Sequence, residues 1–205
     1  MLIRFRNRIR YAAPPVATLR WQAPQTPPTN RTIISADTFG PYCPQAFSSF
    51  PGAPFYVGNE DCLFLNVYAP TGASNLPVMV VIHGGGYGEG DGTQDMSGFI
   101  NANDNALIVV TIQYRLGAFG FASSSEIKSR GVLNAGLMDQ VFALEWLQKN
   151  IAQFGGDPDR VTIAGESAGG GSVMLHAIAQ DGSLGTTLFK NVSFSALLWR
   201  PCFLS

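Results

Sequence analysis

The chain has 205 residues, 46% hydrophobic and 13% charged, which is enough to bury a substantial core and favours one globular domain over two. Its formal net charge of −1 gives no reason to expect a nucleic-acid partner. No apolar run reaches the roughly 18 residues that a membrane-spanning helix requires.

The first ten residues have the basic character of a secretory leader, but no apolar stretch follows before Pro14-Pro15, so no signal peptide is read here. Prolines at 14, 15, 24, 27, 28, 41, 44, 51 and 54 interrupt any long periodic element, and residues 1–60 are expected to be mostly irregular surface. Within them Cys43 and Cys62 bracket a loop holding Phe47, Phe50, Phe55 and Tyr56, too apolar to move freely in water and expected to fold back on the body. If the two cysteines pair, closing about 20 residues stabilises by about 3 kcal/mol on the chain-entropy model. The alternative is two buried thiols, and Cys202 has no evident partner in either case.

From Leu63 the pattern alternates between strands and helices, the signature of an α/β fold with a mainly parallel sheet covered on both faces. Residues 63–68 read as a strand ended by Ala69-Pro70. Residues 78–82 and 106–112 are fully apolar runs of the kind buried at the centre of a sheet. The strongest helix starts at an Asn134 cap and runs through Leu137, Val141, Leu144, Trp146, Leu147 and Ile151, ending at Gly155-Gly156. A strand at 161–164 and a helix through Val173, Met174, Leu175 and Ile178 follow. Residues 191–198 could hold one further strand.

Between that last strand and helix lies Gly165-Glu166-Ser167-Ala168-Gly169. A serine raised on a sharp strand-to-helix turn adopts a strained backbone, and side chains two positions away would collide with the neighbouring elements, so glycine is needed on both sides. The turn leaves Ser167 at a helix N-terminus, where unpaired N–H groups favour developing negative charge. A second motif, His83-Gly84-Gly85-Gly86, directly follows the apolar strand ending at Ile82. A glycine run lets the backbone approach a substrate closely and aim N–H donors at an oxyanion; alone it is equally a flexible turn, but paired with the serine turn it reads as an oxyanion loop.

These residues resemble the type-B carboxylesterase/lipase family, also called cholinesterase-like, of the α/β-hydrolase fold. Two long signatures carry the resemblance: residues 154–169, from Phe154-Gly155-Gly156-Asp157-Pro158 to Gly165-Glu166-Ser167-Ala168-Gly169, and Glu60-Asp61-Cys62-Leu63-Phe64-Leu65-Asn66-Val67-Tyr68-Ala69-Pro70. Arg10-Tyr11-Ala12-Ala13-Pro14-Pro15, Leu19-Arg20-Trp21, Tyr114-Arg115-Leu116-Gly117 and Gly136-Leu137-Met138-Asp139-Gln140 also look like the family. The Glu-Asp-Cys-Leu signature argues against the hormone-sensitive-lipase group, which shares only the glycine loop and the serine turn. The resemblance implies a carboxylic ester hydrolase acting through an acyl-enzyme, with Ser167 as nucleophile and Gly85, Gly86 and Ala168 as oxyanion donors. It further implies a Cys43–Cys62 disulfide, structural ion pairs Arg20–Glu60 and Arg115–Asp139, and Glu166 as an electrostatic element lining the gorge. No metal or organic cofactor is implied. The resemblance also implies a small-molecule or lipid carboxylic ester as partner and a secreted location.

Family members continue for several hundred residues past the serine turn, and that half supplies the acid and the histidine of the triad in the order Ser, acid, His. The expectation is therefore an N-terminal part of the family domain over residues 1–192, with a divergent tail over 193–205 and a clipped N-terminus. Of the two histidines, His176 lies nine residues beyond Ser167 on the opposite face of the same helix, and His83 is expected to anchor the glycine loop. The chain as written is thus expected to be inactive, and the bare side of its sheet to self-associate or bind chaperones. Two alternatives stand beside this reading: a non-catalytic adhesion or binding relative of the same fold, whose members commonly lose the serine, and a truncated product without function. Asn30-Arg31-Thr32 and Asn191-Val192-Ser193 are glycosylation sequons.

Overall fold

A computed structural model describes residues 3–46 and 57–195, and its frame is one six-stranded mixed sheet. The strands are β1 (Ile3–Arg10), β2 (Phe64–Pro70), β3 (Leu76–Ile82), β4 (Ile108–Ile112), β5 (Gly156–Glu166) and β6 (Asn191–Ser195), ordered β1-β2-β4-β3-β5-β6. β2 pairs antiparallel with both β1 and β4, and the rest of the sheet is parallel. The helices are α1 (Ser97–Ala102), α2 (Gly117–Phe121), α3 (Ser125–Arg130), α4 (Ala135–Asn150), α5 (Ala168–Ile178) and α6 (Leu184–Thr187).

Strand alternation divides the apolar runs between two faces. Val78, Val80 and Ile82 of β3 and Ile108, Val110 and Ile112 of β4 enter the main core, packed with Leu144 and Leu147 of α4 and Val173 of α5. The intervening Met79, Val81 and Val109 face a smaller cluster with Tyr68, Met96 and Ile100. Helices thus lie on both faces, which is why the central runs read as continuously apolar rather than alternating.

Three expectations are corrected. Residues 3–10 form a strand although residues 1–60 read as mostly irregular: the prolines begin only at 14, and the backbone pairs residue by residue with the fully buried β2. The register slips between Arg6 and Ile9, where Asn7 turns inward and is 5% exposed. Asn134 occupies the N-cap of α4, but its side chain makes no capping bond; the position uses the tolerance of asparagine for a left-handed backbone, at φ 56°. β5 runs well beyond residues 161–164, starting at Gly156 and continuing through Pro158. The predicted stop after α4 is present, since Gly155 sits at φ 84° and a Cβ there would lie 2.1 Å from the Ala73 carbonyl oxygen. Of the further strand expected at 191–198, Asn191–Ser195 is present as β6, and residues 196–198 lie outside the described residues. Phe47, Phe50, Phe55, Tyr56 and Cys202 lie outside the described residues.

Candidate active site

Because β3 and β5 are parallel neighbours with Ile82 level with Gly165, both strands leave the sheet at the same edge. The turn after β3 begins the glycine loop, and the turn after β5 carries the serine. They touch. A Cβ on Gly84 would lie 2.7 Å from the Glu166 carbonyl oxygen and 3.2 Å from the Ser167 Cβ, so only glycine permits this approach.

Ser167 has φ 55° and ψ −122°, a strained conformation for a non-glycine residue. Backbone bonds on both sides hold it: its N–H donates to the Ser195 carbonyl at 2.9 Å, and its own carbonyl accepts from Gly171 N–H at 2.9 Å. The flanking glycines are demanded by contact, since a Cβ on Gly165 would lie 2.4 Å from the Gly169 carbonyl carbon, and one on Gly169 2.1 Å from the Ile82 carbonyl oxygen. The Ser167 side chain is exposed and accepts no capping bond from α5, leaving the first N–H groups of that helix open, Ala168 among them.

The loop opposite folds on itself through its carbonyls. Gly88 and Glu89 N–H both donate to the Gly85 carbonyl at 3.0 Å, while Gly85 and Gly86 take φ 103° and 59°. Their own N–H groups make no backbone hydrogen bond among the described residues. The loop's base is clamped by His83, whose ring stacks on Tyr114 at 4.4 Å and whose carbonyl accepts the Tyr114 hydroxyl at 2.7 Å. His83 Nδ1 is 2.8 Å from the Gly84 carbonyl oxygen, which assigns it as the protonated nitrogen, and burial lowers the pKa of the ring. The far end is held by Gln45, which accepts from Gly90 N–H at 2.7 Å and donates back to the Gly90 carbonyl at 3.1 Å.

The second histidine is committed elsewhere. His176 is 2% exposed, with Nε2 2.7 Å from Gln140 Oε1 on α4, and burial lowers its pKa to about 4. Neither histidine is hydrogen-bonded to Ser167. Serine, open backbone donors and a helix N-terminus thus meet at one edge of the sheet.

A model of the carboxylesterase family matches residues 5–203. The chain belongs to that family. It is 47% identical over 173 residues to a juvenile hormone esterase of Tribolium castaneum, covering 83% of this chain and 29% of that protein. With a para-nitrobenzyl esterase of Bacillus subtilis it shares 45% over 169 residues, 80% of this chain and 35% of that one. Neuroligin-2 of Mus musculus is 38% identical over 205 residues, covering 82% of this chain and 24% of that protein. The solved structure of a thermophilic PNB esterase superposes with a TM-score of 0.81 at 40% identity, over 93% of this chain and 40% of that chain. The chain thus spans about a third of the length of the esterases it matches, and its fold is a partial α/β-hydrolase.

The remaining family positions are arranged around this edge. Cys43 and Cys62 form a disulfide with Cα atoms 5.0 Å apart. Arg20 pairs with both oxygens of Glu60 at 2.6 and 2.7 Å, partly in solvent. Arg115 pairs with both oxygens of Asp139 at 2.8 and 2.7 Å, fully enclosed, and its backbone N–H donates to the same carboxylate. Glu166 is exposed at the end of β5, next to Ser167. Sequence reasoning missed Tyr114 and Gln45 as supports of the glycine loop. Tyr114 opens a quoted family motif, a signal that was present but carried no role; Gln45 lies in a Pro-rich stretch and reaches Gly90 only across the fold.

Proposed function

We propose that this chain carries the nucleophile and oxyanion half of a secreted serine hydrolase acting on small-molecule or lipid carboxylic esters. Ser167 Oγ attacks the ester carbonyl, and the N–H groups of Gly85, Gly86 and Ala168 receive the negative charge of the tetrahedral intermediate. A histidine takes the serine proton and returns it to the leaving alcohol, and water then cleaves the acyl-enzyme. The contact of the glycine loop with the strained serine turn carries this reading, because it brings nucleophile and unpaired backbone donors to one edge of the sheet. His83 and His176 are hydrogen-bonded to other groups, and neither is proposed as that base.

The Cys43–Cys62 disulfide supports secretion, since such bonds persist in oxidising compartments. A second reading, a binding protein without catalysis, is favoured by the similarity to neuroligin-2; the intact Ser167 and its open donors favour the hydrolase. Both readings are tested by p-nitrophenyl ester turnover in a longer form of the chain. A hydrolase loses turnover in Ser167→Ala, and absence of turnover in that longer form before any substitution supports the binding protein.

A further inference from the structure

At the end of β5 opposite Ser167, a groove of about 410 Å³ runs between the outer strands and the turn after α4. Its floor is Val67 and Ala69 of β2, its far wall Gln153 to Gly155, and its rim Arg4 and Arg6 of β1 with Ser74 and Asn75. No carboxylate lines it.

Arg4 and Arg6 are exposed and two residues apart, so both side chains leave the same face of β1 from backbone positions roughly 7 Å apart, and Arg6 Nη1 donates to the Phe5 carbonyl at 2.9 Å. Neither makes an ion pair among the described residues, whereas Arg10 on the same strand is neutralised by Asp61 at 2.5 Å. A net charge of −1 makes this a local positive field on a weakly acidic molecule, which attracts anions without a general affinity for them. Guanidinium groups bind tetrahedral oxyanions in a forked geometry, and Ser74, Asn75 and Gln153 add neutral hydrogen-bond partners.

We propose that this groove binds a linear polyanion carrying sulfate or phosphate groups. The recess and the spacing of the arginines along an extended strand suit a narrow chain better than a planar bilayer surface. The site and Ser167 lie at opposite ends of β5, roughly 20 Å apart along the sheet since Gly156 is level with Leu76 and Gly165 with Ile82, so binding there is independent of ester chemistry.

The test uses the 205-residue chain with heparin, inorganic polyphosphate and phosphatidylserine vesicles in separate arms at about 0.15 M salt. Binding of heparin alone assigns sulfate as the recognised group, and binding of polyphosphate alone assigns phosphate. Arg4→Gln with Arg6→Gln is expected to weaken binding at least about tenfold and to lower the salt slope by about two, one per lost contact. Arg31→Gln with Arg130→Gln, which removes the same charge from exposed positions elsewhere, leaves binding unchanged. A measurement that needs no variant is phenylglyoxal modification, in which the bound polymer protects Arg4 and Arg6 and not Arg31 or Arg130. Vesicle binding without polymer binding, equal loss in both double variants, or uniform protection of all four arginines overturns the proposal.

Discussion

Ser167 holds a positive φ that costs about 1–3 kcal/mol, and the surroundings repay it only because three glycines let backbone meet backbone. Gly169→Ala sets a Cβ 2.1 Å from the Ile82 carbonyl oxygen, part of a central strand that has no room to yield. We expect a loss of at least about 1–3 kcal/mol, read from the urea midpoint; an unchanged midpoint would show that the elbow is looser than described. The two family ion pairs separate on exposure. Asp139→Ala leaves the Arg115 guanidinium, whose side chain is 3% exposed, without its carboxylate, at an expected cost of about 3–5 kcal/mol. Glu60→Ala removes a pair whose side chains are 36% and 24% exposed, and solvent screening makes the expected cost well below that of Asp139→Ala. Equal costs for the two substitutions in denaturant titrations would refute the ranking.

Helix α5 joins the serine turn to the core, and His176 fixes it to α4 through Gln140. The unfolded imidazole titrates near 6.5 and the folded one at about 4, so the neutral ring costs nothing above pH 6.5. As pH falls from 6.5 toward 4, the unfolded chain takes up a proton that the folded chain refuses, and stability declines by up to about 3 kcal/mol. His83, also lowered by burial, contributes with the same sign. His176→Gln is expected to flatten most of the fall in melting temperature between pH 6.5 and 5; a slope equal to that of the parent would remove His176 as its source. The elements legible in the sequence were those marked by an apolar run or stripe: β2, β3, β4, α4, α5 and β6, and β5 at its core. β1 was hidden because its alternation sets arginine against phenylalanine and isoleucine beside a Pro-rich stretch, and its pairing with β2 is a long-range backbone event. The serine turn and glycine loop were legible because backbone contact restricts their residue types, and the register of β3 with β5 that joins them is a property of the folded sheet.

At the scale of the whole molecule, the two sheet edges differ. β1 carries arginines, the usual guard against edge pairing, whereas β6 reads Asn-Val-Ser-Phe-Ser, is exposed throughout and has no strand on its outer side among the described residues. Phe194 at 51% and Ile178 at 72% exposure continue this apolar surface onto α5. The 205-residue chain is therefore expected to self-associate in sedimentation velocity, and a monomer with one cooperative melt would contradict this. Reducing the Cys43–Cys62 bridge should lower stability by about 3 kcal/mol, because it reopens a loop with a separation of 19 residues. The central claim is that Ser167 is a nucleophile set among backbone donors whose base is neither histidine of this chain. Fluorophosphonate labelling of the 205-residue chain, followed by peptide mapping, tests it most directly. The expected result is slow labelling at neutral pH, confined to Ser167, abolished by Ser167→Ala and unchanged by His83→Ala, with negligible p-nitrophenyl ester turnover. Rapid labelling that disappears in His83→Ala, or an adduct on a different serine, would contradict it.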